Sequence, residues 1–109
     1  MSNPRNQREA RKYIENKEIF RIGNVFSEKD YCGSVTTGYI VYSYGKHYPM
    51  FYFNYRLGQW YENFTKYSVS TTRQHSMCRP IGLDIIELSQ NELEKVIQGE
   101  YVLARAQGN

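Results

Sequence analysis

Residues 48–55 read Tyr-Pro-Met-Phe-Tyr-Phe-Asn-Tyr, and few folds can accommodate such a run. A β-branched and aromatic stretch at 36–44 precedes it, and Gly45-Lys46-His47 supplies a turn between the two, so the pair predicts a β-hairpin. A second turn at Leu57-Gly58-Gln59 leads into 60–65, which extends the hairpin to a three-stranded antiparallel meander. Side chains alternate across a strand. That places Tyr48, Met50, Tyr52 and Asn54 on one face and Phe51, Phe53 and Tyr55 on the other. Both faces are apolar or amphipathic, so helices can cover one, and the other must meet a further helix, a second subunit or a ligand.

The flanks supply covering elements. Asn3 followed by Pro4 reads as an N-cap with proline at the first helical position, and 5–16 is rich in helix formers. Ala10, Tyr13 and Ile14 form its narrow apolar stripe, surrounded by Arg5, Arg8, Arg11 and Lys12. Residues 18–22 predict a first strand, closed by Gly23-Asn24, and the polar stretch 27–37 with its Gly33 break reads as a loop. Beyond the meander, the hydroxyl cluster at 70–72 suits the start of a short helix that runs to Cys78 and stops at Arg79-Pro80. Residues 83–88 predict a strand. Ser89 and Glu92 form a capping-box pattern, and Leu93, Val96 and Ile97 ahead of Gly99 predict an amphipathic helix over 90–98, with 101–104 a last strand or an extension of that helix. The expected fold class is α+β, with a sheet of three to five strands and three helices.

A chain of 109 residues makes one domain. Within it, 1–17 is the N-terminal helix, 36–82 an aromatic and basic core, and 83–109 an acidic strand and helix. From 31 to 82 there are nine Tyr, three Phe and Trp60, with five basic side chains against Glu62 alone. The last 27 positions, 83–109, carry two basic and five acidic groups. An overall charge of +3 is a mild bias toward anionic partners. A mean hydropathy of −0.70 without a long apolar run argues against a membrane span, and the absence of an apolar leader predicts a cytoplasmic protein with Cys32 and Cys78 reduced.

The middle of the chain carries a recurrent pattern: Tyr42-Ser43-Tyr44-Gly45, then Trp60, then Lys66-Tyr67-Ser68 with Thr71, Thr72, His75, Ser76, Arg79 and Pro80. It resembles a group of small proteins of phage and mobile-element genomes, a domain of unknown function. The resemblance spans 42–80 and leaves both termini outside. It implies a phage-like origin and no particular chemistry. This chain has Gln74-His75 where the family tends to place His before Gln, so no role for His75 carries over.

Read from the residues, aromatic and basic interleaving is what a single-stranded nucleic-acid binder needs, with rings stacking on bases and cations following the backbone. The expected surface comprises Lys46, Arg56, Lys66, Arg73 and Arg79 on phosphates, Tyr48, Tyr52 and Trp60 as stacking rings, and His47 and His75 beside them. Thr71 and Thr72, at a helix start flanked by Lys66 and Arg73, form a candidate anion site. The competing reading is that the same rings simply build the core. No catalytic residue, cofactor or metal is assigned: His75 and Cys78 are three apart, but Cys32 and His47 make no second close pair, and a Cys78–His47 dyad lacks an orienting group. Two other functions fit this composition. One is a phage-encoded inhibitor that binds a host protein in an anti-defence role. The other is a homodimer closed through the second sheet face.

Overall fold

The hairpin around Gly45 is the centre of a six-stranded sheet. In the computed structural model, which describes residues 3–65, 78–80 and 84–107, the elements in chain order are α1 (Gln7–Glu15), β1 (Arg21–Ile22), β2 (Val25–Cys32), β3 (Val35–Ser43), β4 (Pro49–Asn54), β5 (Gln59–Asn63), β6 (Ile85–Leu88) and α2 (Gln90–Gln107). The strands lie side by side in sequence order. β1 to β5 form an antiparallel meander, and β6 joins β5 in parallel. Parallel neighbours need a crossover, and residues 64–84 provide the chain length for it. The fold is α+β, with more strands than the three to five expected; the short helix expected over 72–78 lies, Cys78 apart, outside the described residues.

Each apolar face of the central strands has its own helix. On one side Ala10 and Ile14 of α1 pack with Tyr39, Val41, Phe51 and Trp60, and Tyr13 joins them at the margin. On the other, Leu93 of α2 packs with Ile40 and Tyr52, flanked by Val96 and Ile97. Both helix stripes are those the sequence spacing predicts. The alternation along β4 is corrected at one point. Val41 pairs with Phe51 but Tyr42 pairs with Pro49, so Met50 is the extra residue of a β-bulge. The bulge turns Tyr48 and Met50 onto the side of Phe51, leaving Tyr52 opposite them.

Three other boundaries differ from the sequence reading, each for a local reason. The stretch 27–37 is not a loop: it holds most of β2, the hairpin turn and the start of β3. Its polar residues are carried by a full antiparallel ladder with β3, and Gly33 at φ +63 makes the turn between them. The helix N-cap is Asn6 rather than Asn3. Asn6 accepts from the Glu9 amide at 2.9 Å, whereas the Asn3 carboxamide oxygen accepts from the Arg21 amide at 3.1 Å and ties the N-terminal segment to β1. The expected first strand is cut to two residues, because the Phe20 amide donates to Ser27 Oγ at 3.0 Å and Ser27 Oγ donates to the Glu18 carbonyl at 3.1 Å. A side chain takes one of the two ladder bonds there, the Ser27 amide still donating to the Phe20 carbonyl at 3.0 Å.

The capping box of α2 is present: the Ser89 amide donates to Glu92 Oε1 at 3.0 Å, and the Glu92 amide donates to Ser89 Oγ at 3.3 Å. The helix does not stop at Gly99 but runs to Gln107, which makes 101–104 its extension. No helix among the described residues is long and apolar enough to cross a membrane.

Two glycines should respond to alanine in opposite directions. A Cβ at Gly38 would stand 2.8 Å from Cε1 of the buried Tyr52, so Gly38→Ala is expected to cost about 1–3 kcal/mol of overpacking. Nothing lies within 4 Å of a Cβ at the helical Gly99, and Gly99→Ala should stabilise by roughly 0.4–1 kcal/mol. Urea unfolding of both variants checks the signs.

Candidate functional site

The three rings expected to stack on bases are interior. Tyr48 is 2 % exposed and its hydroxyl donates to the Thr65 carbonyl; Tyr52 is 1 % exposed and stacks on Tyr61 with ring centroids 5.9 Å apart. Trp60 is 4 % exposed and meets Tyr39 edge-on at 6.2 Å and Phe53 at 5.1 Å. Their assignment as stacking residues is therefore corrected. A small sheet covered by narrow helix stripes needs these rings as core volume, and a base would have to displace a packed helix to reach them. Burial raises the Tyr39 and Tyr52 phenols well above the ordinary value of 10, which keeps both protonated.

The expected phosphate contacts within the described residues are already engaged. Arg56 grips Glu100 with two bonds, Nε to Oε1 at 2.7 Å and Nη2 to Oε2 at 3.0 Å, across from the turn after β4 to α2. Arg79 Nε lies 2.8 Å from Glu62 Oε1. Both carboxylates are buried, so a phosphate would have to compete with a buried partner for either guanidinium. Both ion pairs compete with the expected phosphate role of Arg56 and Arg79. Lys46 differs. It pairs with Glu28 at 2.9 Å, but both side chains are well exposed, and a pair of that kind holds weakly. His47 is exposed, and its backbone carbonyl accepts from Gln90 Nε2 at 2.7 Å. Lys66, Thr71, Thr72, Arg73 and His75 lie outside the described residues.

A different place collects exposed apolar and charged groups. An open groove of about 520 Å³ runs beside β2 where the chain at 18–20 draws away from it, with Ile19, Phe26, Lys29 and Tyr31 in its lining. Ile19 is 37 % and Tyr31 55 % exposed, and Val35, at 63 %, stands at the nearby hairpin tip. Glu28 and Asp30, two apart on β2, lie half-buried with Tyr42 in their field. Burial and then Glu28 raise the Asp30 carboxyl, against the pull of Lys46; burial, Asp30 and Glu28 push the Tyr42 phenol up to about 12. This group is hidden in the sequence because the polar composition of 27–37 reads as a loop. The signal was the alternating charge of Glu28-Lys29-Asp30, the composition of a protected edge strand.

Cys78, the thiol of the dyad weighed in the sequence, does not have the environment of an activated nucleophile. Cys78 is buried, and desolvation pushes its thiol to about 11 despite Arg11 nearby. Among the described residues no three His, Cys, Asp or Glu side chains gather into a set that could hold a metal ion. Comparison of the chain with protein-family models, with curated proteins and with solved structures finds no match.

Acid should act on the Arg56–Glu100 bond. The Arg56 hydrogen bonds hold the Glu100 carboxyl below its ordinary value of 4.5, so the stability it contributes is present above that pH and is lost as pH falls through the lower folded-state value. Thermal unfolding followed from pH 6 to about pH 3 should show a smaller acid loss in Glu100→Gln than in the parent protein. The thiols make a second test: iodoacetamide near pH 8 should modify Cys32 in the folded protein and Cys78 only after unfolding, as read by intact mass.

Proposed function

We propose that this protein is a non-enzymatic binding module whose partner is another protein. The observation that carries the reading is the distribution of large side chains. Tyr48, Tyr52 and Trp60 are spent on the core, while Ile19, Tyr31 and Val35 stand exposed along one sheet edge and hairpin tip. Aromatic and aliphatic anchors grouped at a surface, rimmed by charge, are what protein interfaces use. Basic side chains held by carboxylates do not make the continuous track that a nucleic-acid backbone needs. A phage-encoded inhibitor of a host protein is the form of this reading that the sequence resemblance favours.

The test separates the two partner classes by salt. Fluorescence anisotropy of labelled single-stranded DNA, single-stranded RNA and duplex DNA is expected to stay flat with added protein at low and high salt. Immobilised protein should retain one protein from a bacterial lysate at both salt concentrations. Nucleic-acid binding that falls steeply with salt, with no retained protein, overturns the proposal.

A further inference from the structure

The strand β2 is paired on only one side for much of its length. β1 covers it at Val25 and Phe26, and the Ser27 amide donates to the Phe20 carbonyl at 3.0 Å, but there the neighbouring chain departs. Successive strand residues direct their backbone N–H and C=O groups to alternate sides, so Lys29 and Tyr31 present theirs to the same side as Ser27, away from β3. Among the described residues nothing pairs with them there. The outer edge of β1 is treated differently: Asn3 accepts from the Arg21 amide and closes it. An open strand edge beside an apolar groove is the geometry that takes up an extended segment as an added strand.

The charges along the edge select the occupant. Lys29 opposes Tyr39 on the β3 side, and its neighbours Glu28 and Asp30 project to the opposite face. A second copy pairing antiparallel about a two-fold axis that passes through one of the charged residues of this stretch has three registers. Centred on Lys29 it sets Lys29 against its own copy and Glu28 against Asp30; centred on Asp30 or Glu28 it sets like carboxylates face to face. Like charges directly opposite destabilise a strand pair, so self-association is opposed in each of these three registers. The carboxylate face also carries surplus negative charge. Among the described residues Lys46 pairs with Glu28 and also acts on Asp30, whose carboxyl burial and then Glu28 raise above its ordinary value.

We infer that β2 accepts, along Ser27–Tyr31, an extended segment of a partner protein in which basic residues at alternate positions flank a large apolar one. The basic side chains lie over Glu28 and Asp30. The apolar side chain enters the groove between Ile19 and Tyr31, against the methylene stem of Lys29. Backbone hydrogen bonds to Lys29 and Tyr31 supply affinity that any sequence would gain, and the carboxylate pair and the groove supply the selection. This rests on the protein-binding reading above and names its site.

A labelled peptide, acetyl-Ser-Thr-Arg-Phe-Arg-Val-Ser-amide, is the probe, and the same peptide with glutamate for each arginine is the control. Anisotropy should rise saturably with the basic peptide, and the acidic one should bind roughly tenfold more weakly or worse. Hydrogen exchange should slow at the Lys29 and Tyr31 amides on binding. Lys29→Pro removes an edge donor that the β3 ladder does not use, and should abolish binding with the folded spectrum kept. Asp30→Asn, which leaves every backbone group in place, should weaken the basic peptide several-fold and reduce its salt dependence. Equal binding of both peptides, no binding of either, unchanged binding by Lys29→Pro, or exchange protection away from β2 would overturn the inference. So would a doubled solution mass that Lys29→Pro returns to the monomer. Retention of the lysate partner by Lys29→Pro sinks the edge while the protein-binding reading stands. Loss of any partner in the parent protein sinks both.

Discussion

The structure depends on having to cover both sides of β3 and β4 with very little helix. α1 offers Ala10, Tyr13 and Ile14, and α2 offers Leu93, Val96 and Ile97, so much of the core volume comes from the sheet's own rings. Tyrosine serves this role where phenylalanine would not. A buried tyrosine brings a large apolar ring together with a hydroxyl that must find a partner, and here the partners are backbone carbonyls of connecting segments. Tyr39 donates to the Glu18 carbonyl at 2.7 Å and Tyr48 to the Thr65 carbonyl. Each ring thus fills the interior and fixes where a connection leaves the sheet. Asn63 acts similarly at the end of β5, donating to the Pro49 carbonyl at 3.0 Å and to the Gln90 side chain at the start of α2.

The uneven charge along the chain has an internal use. The basic middle and the acidic end meet at Arg56 and Glu100, where two parallel hydrogen bonds clip the β4–β5 turn to α2 one residue beyond Gly99. That contact lies beside the glycine and supports the helix where its intrinsic preference is weakest. Asn54 anchors the same turn, accepting from the Leu57 amide at 3.0 Å. Arg79 and Glu62 make a second clip, between the segment after the crossover's middle and β5. Net charge per block, read in isolation, looks like an appetite for an anionic ligand, yet two of the basic groups concerned are bound to carboxylates inside the molecule.

What could be read from the sequence follows the same division. The hairpin about Gly45, the turn at Gly58, both helix stripes and the Ser89–Glu92 capping box rest on local chemistry, and the structure has them. The features that escaped are those a distant residue decides. β2 has weak intrinsic preference for a strand and exists because β3 pairs with it along its whole length. The bulge at Met50 depends on how β4 meets β3 and reverses the face of Tyr48, which alternation alone placed with Tyr52. The ion-pair partners of Lys46, Arg56 and Arg79 are likewise remote in sequence. Exposure was the quantity on which the stacking surface turned, and exposure is a property of packing that composition does not contain.

The open edge of β2 has its origin in the core. To cover Lys29 and Tyr31, the chain before Arg21 would have to continue straight along β2 and place Glu18 opposite Lys29 and Asn16, the C-cap of α1, opposite Tyr31. Instead the Glu18 carbonyl accepts from both Ser27 Oγ and the Tyr39 hydroxyl, which draws the chain inward toward the α1 side of the sheet. Lys17, just before it at φ 56, turns toward the Phe53 ring, 4.5 Å from its centroid. Restoring the ladder would take the Glu18 carbonyl away from both the Tyr39 hydroxyl and Ser27 Oγ, so the backbone bonds gained would be offset by side-chain bonds lost, each of about 1 kcal/mol. The edge stays open because the interior holds its neighbour away, and the charges of Glu28, Lys29 and Asp30 then oppose a second copy centred on any of them.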